Sequence, residues 1–322
     1  MTTNATGIDG TPLRRPTVSS PYIHRKQLEH FVLLDLVPHV FALAALVWMF
    51  FRPVGWPELS ALVIMWAVTG LGISAGYHRL FTHTSYRAAP PTETALAVAG
   101  SMAGQGAVVS WVAIHRRHHQ CSDEPGDPHS PNLHGRRLTE VVRGLAHSHF
   151  LWMRKHEYPN PVHYAKDVLR NRRVIWVDKH YYSWVLLGIV LPALYVGAIE
   201  HSYLGLLSGA LWGGAVRLVV VGNIIWAINS FLHTMGERSY HTSDDSRNAA
   251  LLGLLSFGEA FHNNHHAFPR SASFGLRRAY LDPGYWLIAA LARAGAAENV
   301  WVPSRKQIVE RDARFQQPTA QR

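Results

Sequence analysis

Four apolar runs, each long enough or nearly long enough to cross a lipid bilayer, restrict the fold of this 322-residue sequence more than any other feature. They cover about residues 37–51, 58–76, 182–199 and 204–221, and a membrane-spanning helix needs about 20 mostly apolar residues. The connections at 52–58 and 198–203 are too short to fold separately, so the runs form two hairpins that begin and end on one side. We predict an all-α integral membrane protein with four transmembrane helices in two hairpins.

The distribution of basic residues predicts which side the polar segments occupy. Lysine and arginine are concentrated at the N-terminus, in 115–180 and at the C-terminus, whereas the hairpin tips carry little beyond Arg52. Because positive loops stay inside, the polar segments are expected in the cytoplasm, with the net charge of +10 facing anionic headgroups. Nothing else supports a nucleic-acid partner.

We expect three segments: a polar N-terminus (1–30), a membrane domain (31–300) and a polar tail (301–322). The high alanine and arginine content indicates a bacterial plasma membrane.

The chain holds 21 histidines, as many as its aspartates and glutamates together. Eight lie in three short clusters, and a ninth follows an asparagine at i, i+4 beyond the fourth run. Positions i, i+3 and i+4 share one helix face, so each HxxHH triplet directs its imidazoles the same way. These residues are His78 and His83 (HRLFTH), His115, His118 and His119 (HRRHH), His262, His265 and His266 (HNNHH), and Asn229 and His233 (NSFLH).

One apolar stretch, about 94–113, is rich in alanine, glycine and valine and could be a fifth span or an interfacial helix. If it crossed the membrane, HRLFTH and HRRHH would face opposite compartments and could not share a site. We therefore predict an interfacial helix at about 94–113, and a cytoplasmic helical cap in which all the histidine clusters meet.

A cap in which all these histidine clusters meet is expected to bind metal ions. Neutral imidazole suits iron, copper, zinc and nickel, and nine histidines with one amide exceed what one ion needs. They fit two ions with open positions for oxygen or water. A metal transporter is a weaker alternative, because it would place ligands at mid-span, whereas His39 is the only histidine early in a span.

The segments GYHRLFTH, WVAIHRRHH, NSFLH and GEAFHNNHH, with DEPGDPHSP and HHAFPRSASFG, resemble the integral-membrane fatty acyl desaturases of the stearoyl-CoA Δ9 branch. The resemblance covers about residues 30–300 and is greatest to bacterial, including cyanobacterial, enzymes. It implies a diiron centre (Fe²⁺/Fe³⁺) held by the nine histidines, with Asn229 bound through water. It also implies an O₂-dependent reaction that forms a cis double bond, expected at Δ9, in a saturated acyl chain. A hydroxylase or ketolase of the same superfamily would keep these histidines and is an alternative.

The same resemblance suggests further site residues. Arg154 and Lys155 match a basic pair that holds coenzyme A phosphates in the animal branch, but Ala113-Ile114 replaces that branch's Arg-Asp pair. An acyl chain carried by coenzyme A, a glycerolipid or acyl carrier protein therefore remains possible. His129 and Glu259 are expected beside the metal ligands. Trp66, about three turns before His78, is expected either to close the acyl tunnel or to pack against lipid or span four.

Electrons for the implied reaction are expected from another protein. One cysteine, Cys121, cannot build an iron–sulfur centre, and no haem-domain or flavin motif occurs in the sequence. We expect a separate donor, such as ferredoxin with its reductase or cytochrome b5, to dock on the basic cytoplasmic face.

Overall fold

The computed structural model describes residues 16–277 and 280–312. Four long apolar helices dominate it, each long and apolar enough to cross a membrane. We number them spans 1 to 4: Pro21–Trp48, Trp56–Thr82, Tyr181–Glu200 and Tyr203–Phe231. The predicted all-α fold with four long apolar helices is confirmed.

Shorter elements build a cap around the ends of spans 2 and 4. Its helices are Pro90–Met102, Val108–Gln120, Leu138–His149, Pro161–Tyr164, Lys166–Leu169, Arg172–Lys179, His262–Ala267, Pro283–Arg293 and Arg305–Arg311. Single 3₁₀ turns cover Asn132–His134, Leu151–Arg154 and Ala250–Leu252. Two antiparallel strand pairs join distant segments, Thr17–Val18 with Tyr158–Pro159 and Arg87–Ala88 with Ala297–Glu298.

Several helices extend beyond the apolar runs of the sequence. Span 1 begins at Pro21, where the Ser20 hydroxyl accepts a hydrogen bond from the Ile23 amide at 3.2 Å. Span 4 has 29 residues, which at about 1.5 Å per residue exceeds the roughly 30 Å hydrocarbon core. Its last turns therefore carry Asn229 out of the apolar layer. The predicted tail at 301–322 includes the helix Arg305–Arg311, while 1–15 and 313–322 lie outside the described residues.

The predicted single helix at about 94–113 is wrong in detail, because two helices occupy this region. Pro90–Met102 ends before Gly104 and Gly106, whose φ angles of 74° and 104° are readily adopted by glycine. The second helix, Val108–Gln120, then carries HRRHH into the cap. Pro90–Met102 packs on spans 2 and 3. A Cβ added at Gly72 of span 2 would lie 2.3 Å from the Gly100 nitrogen, so the two backbones approach closely.

Span 2 changes its winding before it enters the cap. Gly72–Thr82 forms a π-helix, and the His83 amide continues the i→i+5 pattern by donating to the His78 carbonyl at 3.1 Å. The rings of His78 and His83 are consequently 5.0 Å apart, centroid to centroid. The π-winding thus brings together two side chains that ordinary α-helical spacing would separate.

Polar contacts fix the spans at two depths. At the hairpin tips Arg52 pairs with Glu200, and the buried Glu58 accepts from the Ser208 hydroxyl at 2.7 Å. Deeper in the bundle the fully buried Arg217 donates to the carbonyls of Met102 and Gly188 at 2.6 and 2.8 Å. The Arg217 contacts tie spans 3 and 4 to the helix Pro90–Met102.

Candidate metal centre

Five predicted histidines converge in a first cluster, which contains His78, His83, His115, His119 and His265. One ring nitrogen from each lies within 4.8 Å of all the others. The Nε2 atom of His265 is 3.0 Å from that of His78 and 2.8 Å from that of His119. Span 2 and the residue that follows it supply His78 and His83. The helices Val108–Gln120 and His262–Ala267 supply the other three. Histidines from three separate segments of the chain therefore come together in one cluster.

The other four predicted histidines form a second cluster, which contains His118, His233, His262 and His266. The Nε2 atoms of His233 and His262 are 2.9 Å apart. Each HxxHH triplet divides between the clusters, since its first and third histidines lie one helical turn apart and the second points elsewhere. The clusters are adjacent, with the His119 and His266 rings 4.5 Å apart.

These clusters fit metal ions better than they fit hydrogen bonding among themselves. His78 donates from Nδ1 to Glu259, which leaves the lone pair of its Nε2 directed at His265. In the described part of the chain, the buried Nε2 atoms of His83, His118 and His266 have no hydrogen-bond partner. Buried polar atoms without partners are costly, and a shared cation would satisfy several lone pairs at once.

Four carboxylates fix the orientation of four of these rings. Besides the Glu259–His78 pair, His118 Nδ1 lies 3.0 Å from Asp127, His233 Nδ1 lies 2.8 Å from Asp123, and His266 Nδ1 lies 2.7 Å from Asp244. A carboxylate on Nδ1 directs the proton there and leaves Nε2 free to ligate, as is usual at histidine metal sites.

Protonation within the cap agrees with this arrangement. Burial, reinforced by the neighbouring rings, lowers the pKa of most cap histidines far below the ordinary value and keeps them neutral. They are His83, His115, His119, His262, His265 and His266. Burial also opposes the charged form of His118, but the adjacent Asp127 carboxylate outweighs it and raises the pKa. Neutral imidazole is the form that binds metal.

Three cavities run past the clusters and share lining residues. A cavity of about 480 Å³ lies between the start of span 1 and the start of span 3. It shares Ile114 with one of about 60 Å³ that Asn229 and His262 also line. Beyond it, a space of about 10 Å³ ends at Trp66 and Phe257, whose rings are 4.6 Å apart. Together they outline a path from the protein surface past both clusters and into the membrane region.

Residues 53–297 match the family model described as fatty acid desaturase. The chain belongs to the fatty acid desaturase family. It is 41% identical over 294 residues to the hex-5-enoyl-[acyl-carrier protein] acetylenase of Moorena producens, covering 91% of this chain and 92% of that one. It is 34% identical over 252 residues to Delta-9 acyl-lipid desaturase 1 of Arabidopsis thaliana, covering 78% of each. It is also 34% identical over 253 residues to the sn-1 stearoyl-lipid 9-desaturase of Anabaena variabilis, covering 77% of this chain and 85% of that one.

The desaturase is thus an oxidoreductase of this family, which excludes the alternative of a metal transporter.

The remaining predicted site residues lie in different surroundings. His129 is buried, with its ring 4.4 Å from that of His118, and burial lowers its pKa to about 3. Arg154 and Lys155 are exposed, but they lie between Met153 and His156, which line the largest of the three connected cavities.

Sequence reasoning missed several polar groups of this desaturase. Asp123 and Asp127 lie within DEPGDPHSP, whose acidic residues were given no role, and Asp244 lies in a loop without any metal signature. Arg79, inside HRLFTH, is fully buried and pairs with Asp282 at 2.9 Å. It also donates to the Phe257 carbonyl at 3.1 Å, and so holds the loop before HNNHH against span 2.

Proposed function

We propose that this desaturase is an O₂-dependent diiron enzyme that removes two hydrogens from neighbouring carbons of an acyl chain. The convergence of nine histidines into clusters of five and four supports the proposal most directly. The first cluster would hold one iron, and the second, with Asn229 acting through water, would hold the other. Two irons bound there would supply the oxidant that attacks an unactivated C–H bond.

The overall reaction is R–CH₂–CH₂–R′ + O₂ + 2 e⁻ + 2 H⁺ → R–CH=CH–R′ + 2 H₂O. The protein's own residues would position the reactants and exclude water. Glu259, Asp123, Asp127 and Asp244 hold the imidazoles in the ligating tautomer. Ile114 and Ile225 line the 60 Å³ cavity beside His78 and His262, so the reacting carbons would lie in an apolar space next to both clusters.

The cavity volumes suggest where the chain would react. The space beyond the clusters is about 10 Å³, about the volume of a single probe sphere. The methyl half of a stearoyl chain would not fit there unless Trp66 and Phe257 moved. The Δ9 position expected from the resemblance therefore stays a prediction. The cavities favour reacting carbons near the methyl end of a short chain, with Trp66 closing the tunnel.

The carrier is proposed to be a phosphopantetheine thioester on acyl carrier protein. The Moorena relative is named for a six-carbon chain on that carrier, and a short chain leaves the thioester close to the large cavity. Lys26 and Lys179 line this cavity, and Arg154 and Lys155 lie nearby, so cations are available for the carrier phosphate. Coenzyme A presents a similar phosphate, whereas the names of the plant and cyanobacterial relatives give a lipid as the carrier of the acyl chain.

The four spans would place the protein in a membrane, with the cap on the cytoplasmic side because lysine and arginine are concentrated in the polar segments.

Expression in a bacterium that lacks its own desaturases tests the reaction. Purified membranes receive acyl carrier protein loaded with chains of graded length, reduced ferredoxin and O₂. We expect a product that has lost two hydrogens. A product that has instead gained one oxygen atom would identify a hydroxylase, and the absence of any oxygen-dependent product would contradict the proposal.

A further inference from the structure

A cleft of about 700 Å³ lies on the cap surface, separate from the acyl path. It shares no lining residue with the three connected cavities. One wall contains Leu80, Phe81 and Thr84, the segment between and beside the two histidines of HRLFTH. The cleft therefore lies beside the segment that carries His78 and His83 and is lined by residues other than those of the acyl path.

Hydrogen bonds connect the cleft to the first cluster. Asp167 lines the cleft and pairs with Arg116 at 2.6 Å. Arg116 then donates from Nε to the Thr82 carbonyl at 2.9 Å. Thr82 precedes His83, and Arg116 follows His115, so this one guanidinium bridges the cleft and the backbone beside two cluster residues. The path is short and composed of bonded groups, as electron entry to the first cluster requires.

Backbone conformation also marks this cleft. Thr84 and Asn299, with φ angles of 49° and 54°, both line it. Non-glycine residues in this left-handed region are uncommon and concentrate at functional sites. The Thr84 turn directly follows His83 and presents an exposed residue to the cleft.

Most of the charged side chains that line the cleft and form no ion pair among the described residues are positive. Its acidic residues Glu93 and Asp167 are already paired, with Arg173 at 2.8 Å and with Arg116. Arg87 and Arg270 are exposed and form no ion pair within 16–277 and 280–312, which leaves Glu298 as the unpaired acid of the lining. The exposed cations Lys166, Arg170 and Arg172 are sequence neighbours of the lining residues Asp167 and Asn171.

We propose, on the basis of the function above, that this cleft is the docking surface for an acidic one-electron carrier of the ferredoxin class. Two reduced carriers would dock in succession during each turnover, and each would give up one electron. The two electrons, with O₂ and two protons, balance the removal of two hydrogens and the formation of two waters. Complementary charge would increase the rate of docking by about tenfold or more at low salt.

The test uses the full-length protein in nanodiscs with a plant-type [2Fe–2S] ferredoxin as the probe. Arg87→Glu and Arg270→Glu are combined in one variant. We expect its KM for reduced ferredoxin to rise about tenfold at low ionic strength, and the effect to shrink as salt screens the charges. Product formation after chemical reduction with dithionite should match wild type. Arg136→Glu, an exposed arginine outside the cleft, is the matched control.

Carbodiimide cross-linking supplies a second readout that does not depend on turnover. It joins lysine amines to carboxylates, so ferredoxin should cross-link at Lys166, beside the cleft residue Asp167. Cross-links confined to Lys26, Lys155 or Lys179, with unchanged KM in the double variant, would overturn the docking proposal and leave the desaturase function intact. If wild type forms no product with either reductant, the proposed function itself fails.

Discussion

Replacing Trp66 with alanine tests how far the acyl chain extends beyond the metal clusters. Trp66 lines the last cavity of about 10 Å³ and packs against Phe257, so removing its indole would lengthen the tunnel by several methylenes. Each buried methylene contributes about 0.8 kcal/mol, or roughly fourfold in kcat/KM. A chain three carbons longer should therefore gain about 60-fold relative to the wild-type preference.

The assay is the product distribution from mixed acyl chains, with the double bond mapped from the carboxyl end. The bond should keep its distance from the carboxyl carbon, because the head-group contacts do not change. Val63→Ala is the control, since Val63 lies one turn earlier in span 2 and is 55% exposed. A Trp66→Ala distribution identical to wild type, with normal protein level and iron content, would refute the tunnel-end role and leave Trp66 as a packing residue.

Two further predictions concern the cap. Asp127→Asn removes the carboxylate that orients His118. We expect it to weaken iron binding about 10- to 100-fold, measured by chelator competition. An unchanged affinity for iron would show that Asp127 does not support the site. A protease applied from the cytoplasmic side should cut between Gly126 and Gly135, where Leu133 is 43% exposed. A protease applied from outside should not cut there. Cleavage from outside would contradict the proposed topology.

The sequence predicted the features that depend on local composition. Apolar runs indicate spans because bilayer thickness sets their length. The four long apolar helices are confirmed on this basis. The expectation that each HxxHH triplet directs all its imidazoles the same way is wrong, because the second histidine of each triplet joins the other cluster. The helix ends of spans 1 and 4 were harder to predict from hydropathy, because each helix continues through polar residues outside its apolar run.

Other features depend on contacts between distant segments and left no local signal. Asp244 reaches His266 from a loop 22 residues earlier, and nothing in its neighbourhood resembles a metal motif. The π-winding that brings His78 to His83 begins at Gly72, and nothing in the residues of HRLFTH indicates it. Resemblance identified the nine histidines, but only the structure divides them into two clusters.

The metal content of the purified protein tests the diiron proposal most directly. Iron would be quantified per chain in wild type and in the His118→Ala and His265→Ala variants, one from each cluster. We predict about two irons in wild type, with each variant losing iron from its own cluster and most of its activity. A wild-type protein purified with a single ion per chain, or variants that keep both irons and wild-type activity, would contradict the account.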